Sequence, residues 1–291
     1  YNKSINKDFG FNVAFNMSAI KNKMTELDGD VSYIGLPTSV IHSLNFDQEV
    51  SRSAIGQPIG SFYAYKEDGL FQSEAEIKSY TNNKGELLQP NAKPGDIKFV
   101  DVNGDGVIDG NDRDYIGNPL PDVTAGLTLG VNFHNFDLSL FFQGMFGNDV
   151  YDLTRYVGDF YNQSQYNKNS RVVNAWTPTN TNTDIPRVTM DDPNNNIRPS
   201  SYYVQDASFV RLKNMKIGYS VPQSILSKIK FNSLYIYAQA TNLFTITGYD
   251  GIDPEVGLQS YSSDYRNLDM GVDRGIYPLS RTFTFGVNVS F

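Results

Sequence analysis

The sharpest chemical spacing in the chain is DVNGDGVIDGND, residues 101 to 112. Asp101, Asn103 and Asp105 fall at positions 1, 3 and 5 of a calcium-loop pattern. Gly106 takes the sharp turn at position 6, Val107 offers its carbonyl, and Ile108 packs inward. Asp109 and Asp112 occupy positions 9 and 12, with Asp112 in place of the usual glutamate, which weakens the case for bidentate coordination. Carboxylates this close repel one another unless a cation lies between them, so one reading is a structural Ca2+ that stiffens the loop. The other is an Asp/Asn/Gly turn whose side chains cap their own backbone.

Little else points to bond-making chemistry. The chain has no cysteine, which excludes a thiol nucleophile, a disulfide scaffold and a Cys-ligated zinc site. His42 and His134 are its two histidines and lie far apart in sequence. No nucleophile–base pattern stands out, and the many loop carboxylates single out no pair, so the expectation is a non-enzymatic protein. Trp176, Tyr156, Tyr161 and Tyr166 sit in one long loop, where their rings either stack on sugar or pack the loop and a covering partner. A net charge of −8 argues against a nucleic-acid partner.

The elements that must carry these residues are strands. No apolar run reaches the roughly 18 residues of a membrane helix, but alternating strands of about 9–11 residues can span an outer membrane. Phe9, Phe11, Val13, Phe15 and Met17 share one face of such a window. Val123 to Phe133 alternates Val, Ala, Leu, Leu, Val and Phe with Thr, Gly, Thr, Gly and Asn. Further windows start at Phe136, where Phe141 breaks the polar face, and at Leu234. Phe209 to Tyr219 changes parity near Lys213–Asn214, which fits either a bulge or a strand whose upper half stands clear of the membrane. In the closing segment, FTFGVNVSF, Phe283, Phe285, Val287, Val289 and Phe291 share a face, which reads as a transmembrane strand.

Loop lengths then separate a barrel from a soluble sandwich. Asn6-Lys7-Asp8, His134-Asn135 and Val221 to Phe231 are short connections. They alternate with long ones at about 21–121, Gly147 to Asp206 and Thr245 to Ser280. Outer-membrane barrels sort their loops this way, short on the periplasmic side and long outside, and a sandwich has no reason to. About seven strands cannot close such a barrel, so the rest is expected upstream of Tyr1.

Five blocks, in order, resemble the SusC/RagA family of TonB-dependent outer-membrane transporters. They are IGQPIGSFYAYKEDGLFQ (55–72), PGDIKFVDVNGDGVIDGNDRDYIGNPLPDVTAGL (94–127), AWTPTNTNTDIPR (175–187), ASFVRLKNMKIGYSVP (207–222) and YAQATNLFTITGYDGIDPE (237–255). The resemblance implies an all-β, transmembrane antiparallel barrel of roughly 22 strands with a plugged lumen. The chain would be its C-terminal part, with residues 21–121 a large extracellular excursion and the N-terminal plug lying outside this sequence. The implied activity is TonB-dependent import of an oligosaccharide or a peptide. A SusD-like surface lipoprotein, the TonB–ExbB–ExbD complex, outer-membrane lipid and the assembly machinery are the implied partners. Phe291 resembles the C-terminal signal which that machinery reads. Two other classes fit the residues less specifically: a calcium-dependent glycan-binding β-sandwich and a passive porin.

Overall fold

The computed structural model describes residues 1–35, 48–161, 167–257 and 268–291. Seven strands form an antiparallel meander in chain order: Asn2–Asn6, Phe9–Ala19, Val123–Phe133, Phe136–Phe146, Phe209–Ser220, Ser233–Thr241 and Thr282–Ser290. A short eighth strand, Thr245–Thr247, pairs with the upper end of Phe209–Ser220. Each long window of alternating residues is therefore a strand, paired with its sequence neighbours.

Register aligns the alternation across the whole sheet. Val13 pairs with Leu129, Leu129 with Leu140, and Leu140 with Met215. Met215 continues to Ala240, and Ala240 to Phe283. One face is thus apolar across six strands, because a period of two keeps every paired residue on the same side, while the edge strand Asn2–Asn6 sets Lys3 opposite Phe11 there. The opposite row runs Asn12, Gly130, Ser139, Lys216, Gln239 and Thr284. Glycine permits close cover on that face: a methyl at Gly130 would collide with the Asn12 side chain, and one at Gly286 with the Tyr237 ring.

The apolar face has no cover among the described residues. Phe15 is 64% exposed, Phe283 63% and Phe285 81%. A sandwich would bury this face against a second sheet about 10 Å away. Among the described residues no second sheet packs on this face, which is not the packing that the sandwich alternative expects.

The parity change in Phe209–Ser220 is a bulge. Phe141 pairs with Asn214 and Phe142 with Leu212, which leaves Lys213 as the extra residue. Continued alternation would have turned Arg211 and Lys213 onto the apolar face. The extra residue keeps both with Lys216 on the polar face, avoiding a cost of about 2–4 kcal/mol for a cation deep in hydrocarbon.

The short connections are built for tightness. His134 adopts φ 53° in the hairpin between Phe133 and Phe136, and its N–H donates to the Asp8 carbonyl at 2.6 Å. Between Ser220 and Ser233 the chain makes a helix, Gln223–Ile229, after Pro222, and leaves it through Lys230 in the left-handed region. The helix has seven residues.

The long connections fold together into a cap with a core of its own. Tyr33–Gly35, Ser51–Ala54, Ser61–Tyr65 and Arg113–Gly117 form one small sheet. Asp149–Asp152 pairs antiparallel with Val204–Asp206 and parallel with Val272–Asp273, joining the second long connection to the third. Phe62, Phe99, Tyr151, Leu153 and Tyr203 are fully buried at the centre.

Candidate functional site

The 101–112 loop is ordered by its own carboxylates. Asp101 accepts the N–H of Gly104 at 2.7 Å through Oδ1 and that of Gly106 at 2.9 Å through Oδ2. The fully buried Asp112 accepts from Val102 at 2.8 Å and from Asp109 at 2.8 Å. Asn103 and Asp105 bond each other, and Asp105 also accepts the Val107 N–H at 3.0 Å. Gly106 takes φ 89°, which only glycine adopts freely, and Ile108 packs against the cap core. The oxygen donors are of the hard type that calcium prefers. Among the described residues, however, no three His, Cys, Asp or Glu side chains gather into a metal-holding group.

The aromatic residues of the second long connection divide by burial. Trp176 is buried, donates from Nε1 to Gln72 Oε1 at 3.0 Å, and covers Gly95. Tyr156 lies in the main core. Their rings are packing elements and offer no open face. Tyr161 is 37% exposed, with Lys168 Nζ 5.3 Å from its ring centroid. Tyr166 and His42 lie outside the described residues.

Beneath these rings runs a buried polar network that no local sequence pattern marks. Asp96 accepts from Arg187 Nε at 2.6 Å and from Asn196 Nδ2 at 2.9 Å. Gln89 donates to the Ile97 carbonyl at 2.9 Å and to Asn194 at 2.8 Å, and accepts the Phe99 N–H at 2.8 Å. These bonds link the first long connection to the second across about a hundred residues, beyond the reach of any local pattern. A satisfied network of this kind fixes one arrangement of the loops.

A second cluster lies where the second and third connections meet. The parallel pairing places Asp152 beside Asp273, both buried. Tyr249 donates to Asp273 Oδ2 at 2.6 Å. Burial, with the adjacent Asp152 and the bond to Asp273, pushes the Tyr249 hydroxyl far above its ordinary value, so it stays a donor. Burial likewise raises the Asp152 carboxyl, against the pull of Thr154 and Arg155.

On the polar face of the sheet, the rings of Tyr235 and Tyr237 stack with centroids 5.8 Å apart. Lys216 Nζ sits 4.9 and 4.8 Å from the two centroids, and Tyr235 donates to Asp137 at 2.9 Å. Phe291 is 83% exposed and meets the Phe231 ring edge-on at 5.1 Å.

This geometry is that of a wall and a cap, with no catalytic constellation among the described residues. No family model matches the chain. TonB-dependent receptor P3 of Formosa agariphila is 38% identical over 287 residues, covering 98% of this chain and 27% of that protein. TonB-dependent receptor SusC of Bacteroides thetaiotaomicron is 27% identical over 292 residues, covering 99% of this chain and 25% of the receptor. The solved structure of the RagAB peptide transporter matches in fold, with a TM-score of 0.72 at 24% identity, covering 100% of this chain and 28% of that one. The chain spans about a quarter of the length of the relatives it matches. In sequence and in fold, the chain is homologous to the SusC/RagA family of TonB-dependent outer-membrane transporters, as a segment that matches part of their length.

Proposed function

We propose that the chain supplies barrel wall and outer loops to a TonB-dependent importer of an oligosaccharide or a peptide. The observation that carries this reading is the sheet with one bare apolar face and one polar face of small residues. Such a surface is stable only with hydrocarbon on one side and a filled or watery lumen on the other. On this reading the two outer strands, Asn2–Asn6 and Thr282–Ser290, pair with further strands of a closed barrel of roughly 22 strands. The short connections then face the periplasm and the cap faces outward, beneath a SusD-like lipoprotein. Energy comes from TonB–ExbB–ExbD acting on a plug outside this sequence. Homology to receptors supports a non-enzymatic role.

The test is uptake by cells of labelled neutral oligosaccharide and of labelled peptide, with and without the full-length receptor and with and without TonB. Import of one class that needs both proteins is expected. Uptake that survives loss of TonB would point to a passive porin.

Three residue assignments belong to the same reading. Tyr161 is the described ring of the loop that is open to a passing solute. Phe291 serves as the assembly signal, and its removal from the full-length protein should block insertion. In the 101–112 loop, Asp101, Asn103, Asp105, Val107, Asp109 and Asp112 would hold a structural Ca2+ in addition to the backbone caps. Calorimetric titration of the chelated protein with calcium, read with the shift in melting temperature, tests that assignment. A flat titration with an unchanged melting temperature leaves the backbone caps as the loop's sole ordering device.

A further inference from the structure

Five consecutive ion contacts converge on one short segment. Asp250 accepts from Arg155 Nη2 at 2.8 Å and lies 3.4 Å from Arg171 Nη1. Three residues on, Asp253 takes Arg211 Nη2 at 2.6 Å. Glu255 takes Arg211 Nη1 at 2.9 Å and Lys213 Nζ at 2.6 Å. The first pair of cations belongs to the cap: Arg155 to the helix Thr154–Gly158, and Arg171 to the single turn Ser170–Asn174. The second pair belongs to the wall, where the bulge turns it onto the polar face. Residues 250–255 therefore bridge cap and wall.

The two ends are held by different physics. At the wall end, the Arg211 and Asp253 side chains are 3% and 6% exposed. Asp253 also accepts the N–H groups of Glu255 at 2.9 Å and Leu279 at 3.1 Å, and Arg211 Nε donates to Thr245 Oγ1 at 2.7 Å. Burial alone would raise the Asp253 carboxyl, but these N–H groups and the guanidinium hold it below the ordinary value. Screening ions do not reach such a pair. At the cap end, the Asp250 side chain is 52% exposed, and its own N–H reaches Gln205 at a long 3.3 Å. That contact lies within reach of solvent ions. Beside it opens a cleft of about 390 Å3 lined by Asp152, Arg155, Asn169, Arg171 and Asp250.

We propose that residues 250–255 are a strap fixed to the wall at Arg211–Asp253 and releasable from the cap at Asp250, so that the cleft widens while the wall end stays closed. Arg155 and Arg171 keep Asp152, Asp159 and Asp184 as partners when Asp250 leaves, so release does not strand a charge. The proposal rests on the wall-and-cap reading above only for the side of the membrane on which the strap lies.

Hydrogen exchange of the full-length receptor in detergent, followed by mass spectrometry, tests it without any transport assay. Raising salt from about 0.05 to about 1 M, which shortens the screening length from well over 10 Å to about 3 Å, should speed exchange at Asp250, whose N–H donates to Gln205. Glu255 and Leu279 should stay protected. Asp250→Asn should give the same pattern at low salt. Arg211→Gln should raise exchange at Glu255 and Leu279 by more than about tenfold, equivalent to about 1.4 kcal/mol of local opening. If Arg211→Gln fails to fold, the salt response of the wild-type protein decides alone. A uniform response along 250–255, or protection at Asp250 that salt leaves unchanged, overturns the strap. Heat-modifiable migration on gels reports separately on the barrel, so the two readings can fail independently.

Discussion

The wall and the cap solve opposite packing problems with the same alphabet of residues. In the wall, large apolar side chains such as Phe15, Leu129 and Phe285 line a face that no described residue covers. In the cap, Phe62, Tyr151 and Tyr203 are fully buried, and even Asp112, Asp269 and Asp273 have no exposed surface. Hydrophobicity alone therefore does not say which side is inside. What separates the regions is where polar groups find partners: along the strand ladder in the wall, and through long-range side-chain bonds in the cap.

That contrast can be broken by substitution. Tyr203→Ala removes a ring stacked on Tyr151 at 5.3 Å and a donor to the Ile197 carbonyl at 2.9 Å. It should cost the cap about 3–5 kcal/mol. Limited proteolysis should cut the long connections while heat-modifiable migration of the barrel persists. Loss of both together would mean that wall and cap fold as one unit.

Leu129→Arg places a cation on the apolar face and should cost about 2–4 kcal/mol, measured by denaturant unfolding in vesicles. Its neighbour Thr128, paired with Ala14 and Phe141 on the opposite face, is the control. Thr128→Ser should stay within about 0.5 kcal/mol of wild type. Equal costs at the two positions would refute the lipid-facing assignment.

A smaller effect is expected from acid. Asp253 has a folded pKa below its unfolded value, so its contribution is fully present above the ordinary carboxylate range near pH 4. It is lost as pH falls through the depressed folded value. The melting temperature should therefore drop below about pH 4, and Asp253→Asn should lower it at neutral pH and flatten that part of the profile. An unchanged acid limb in the variant would show that Asp253 is not among the groups responsible.

Legibility in the sequence follows the same division. The wall strands could be read because period two persists for nine to eleven residues in five of them. The bulge was visible too, as a parity break in FVRLKNMKIGY with cations on both sides of it. The cap was not readable at this level. Its strands run two to five residues, too short for a period to register, and its decisive bonds join Gln89 to Asn194 and Asp96 to Arg187. For Trp176 and Tyr156 the sequence leaves sugar stacking and loop packing open, because a loop position carries no burial signal, and both rings are buried in packing. The strap had one available clue. Arg211 stands in an otherwise membrane-length strand and requires an acidic partner, and DGIDPE supplies three acidic residues.

The glycines beneath Asn12 and Tyr237 bear on how the inner surface would feel to anything moving along it. Where Asn12 and Asn16 lie over Gly130 and Gly126, the relief is shallow, since each side chain rests in the depression left by a missing methyl. Toward Thr282–Ser290, the Tyr235 and Tyr237 rings rise from the same kind of depression to make a ridge. One lane of the wall is smooth and its neighbour is textured. A body that must leave this surface and return to it in every cycle would glide on the first and find its bearing on the second.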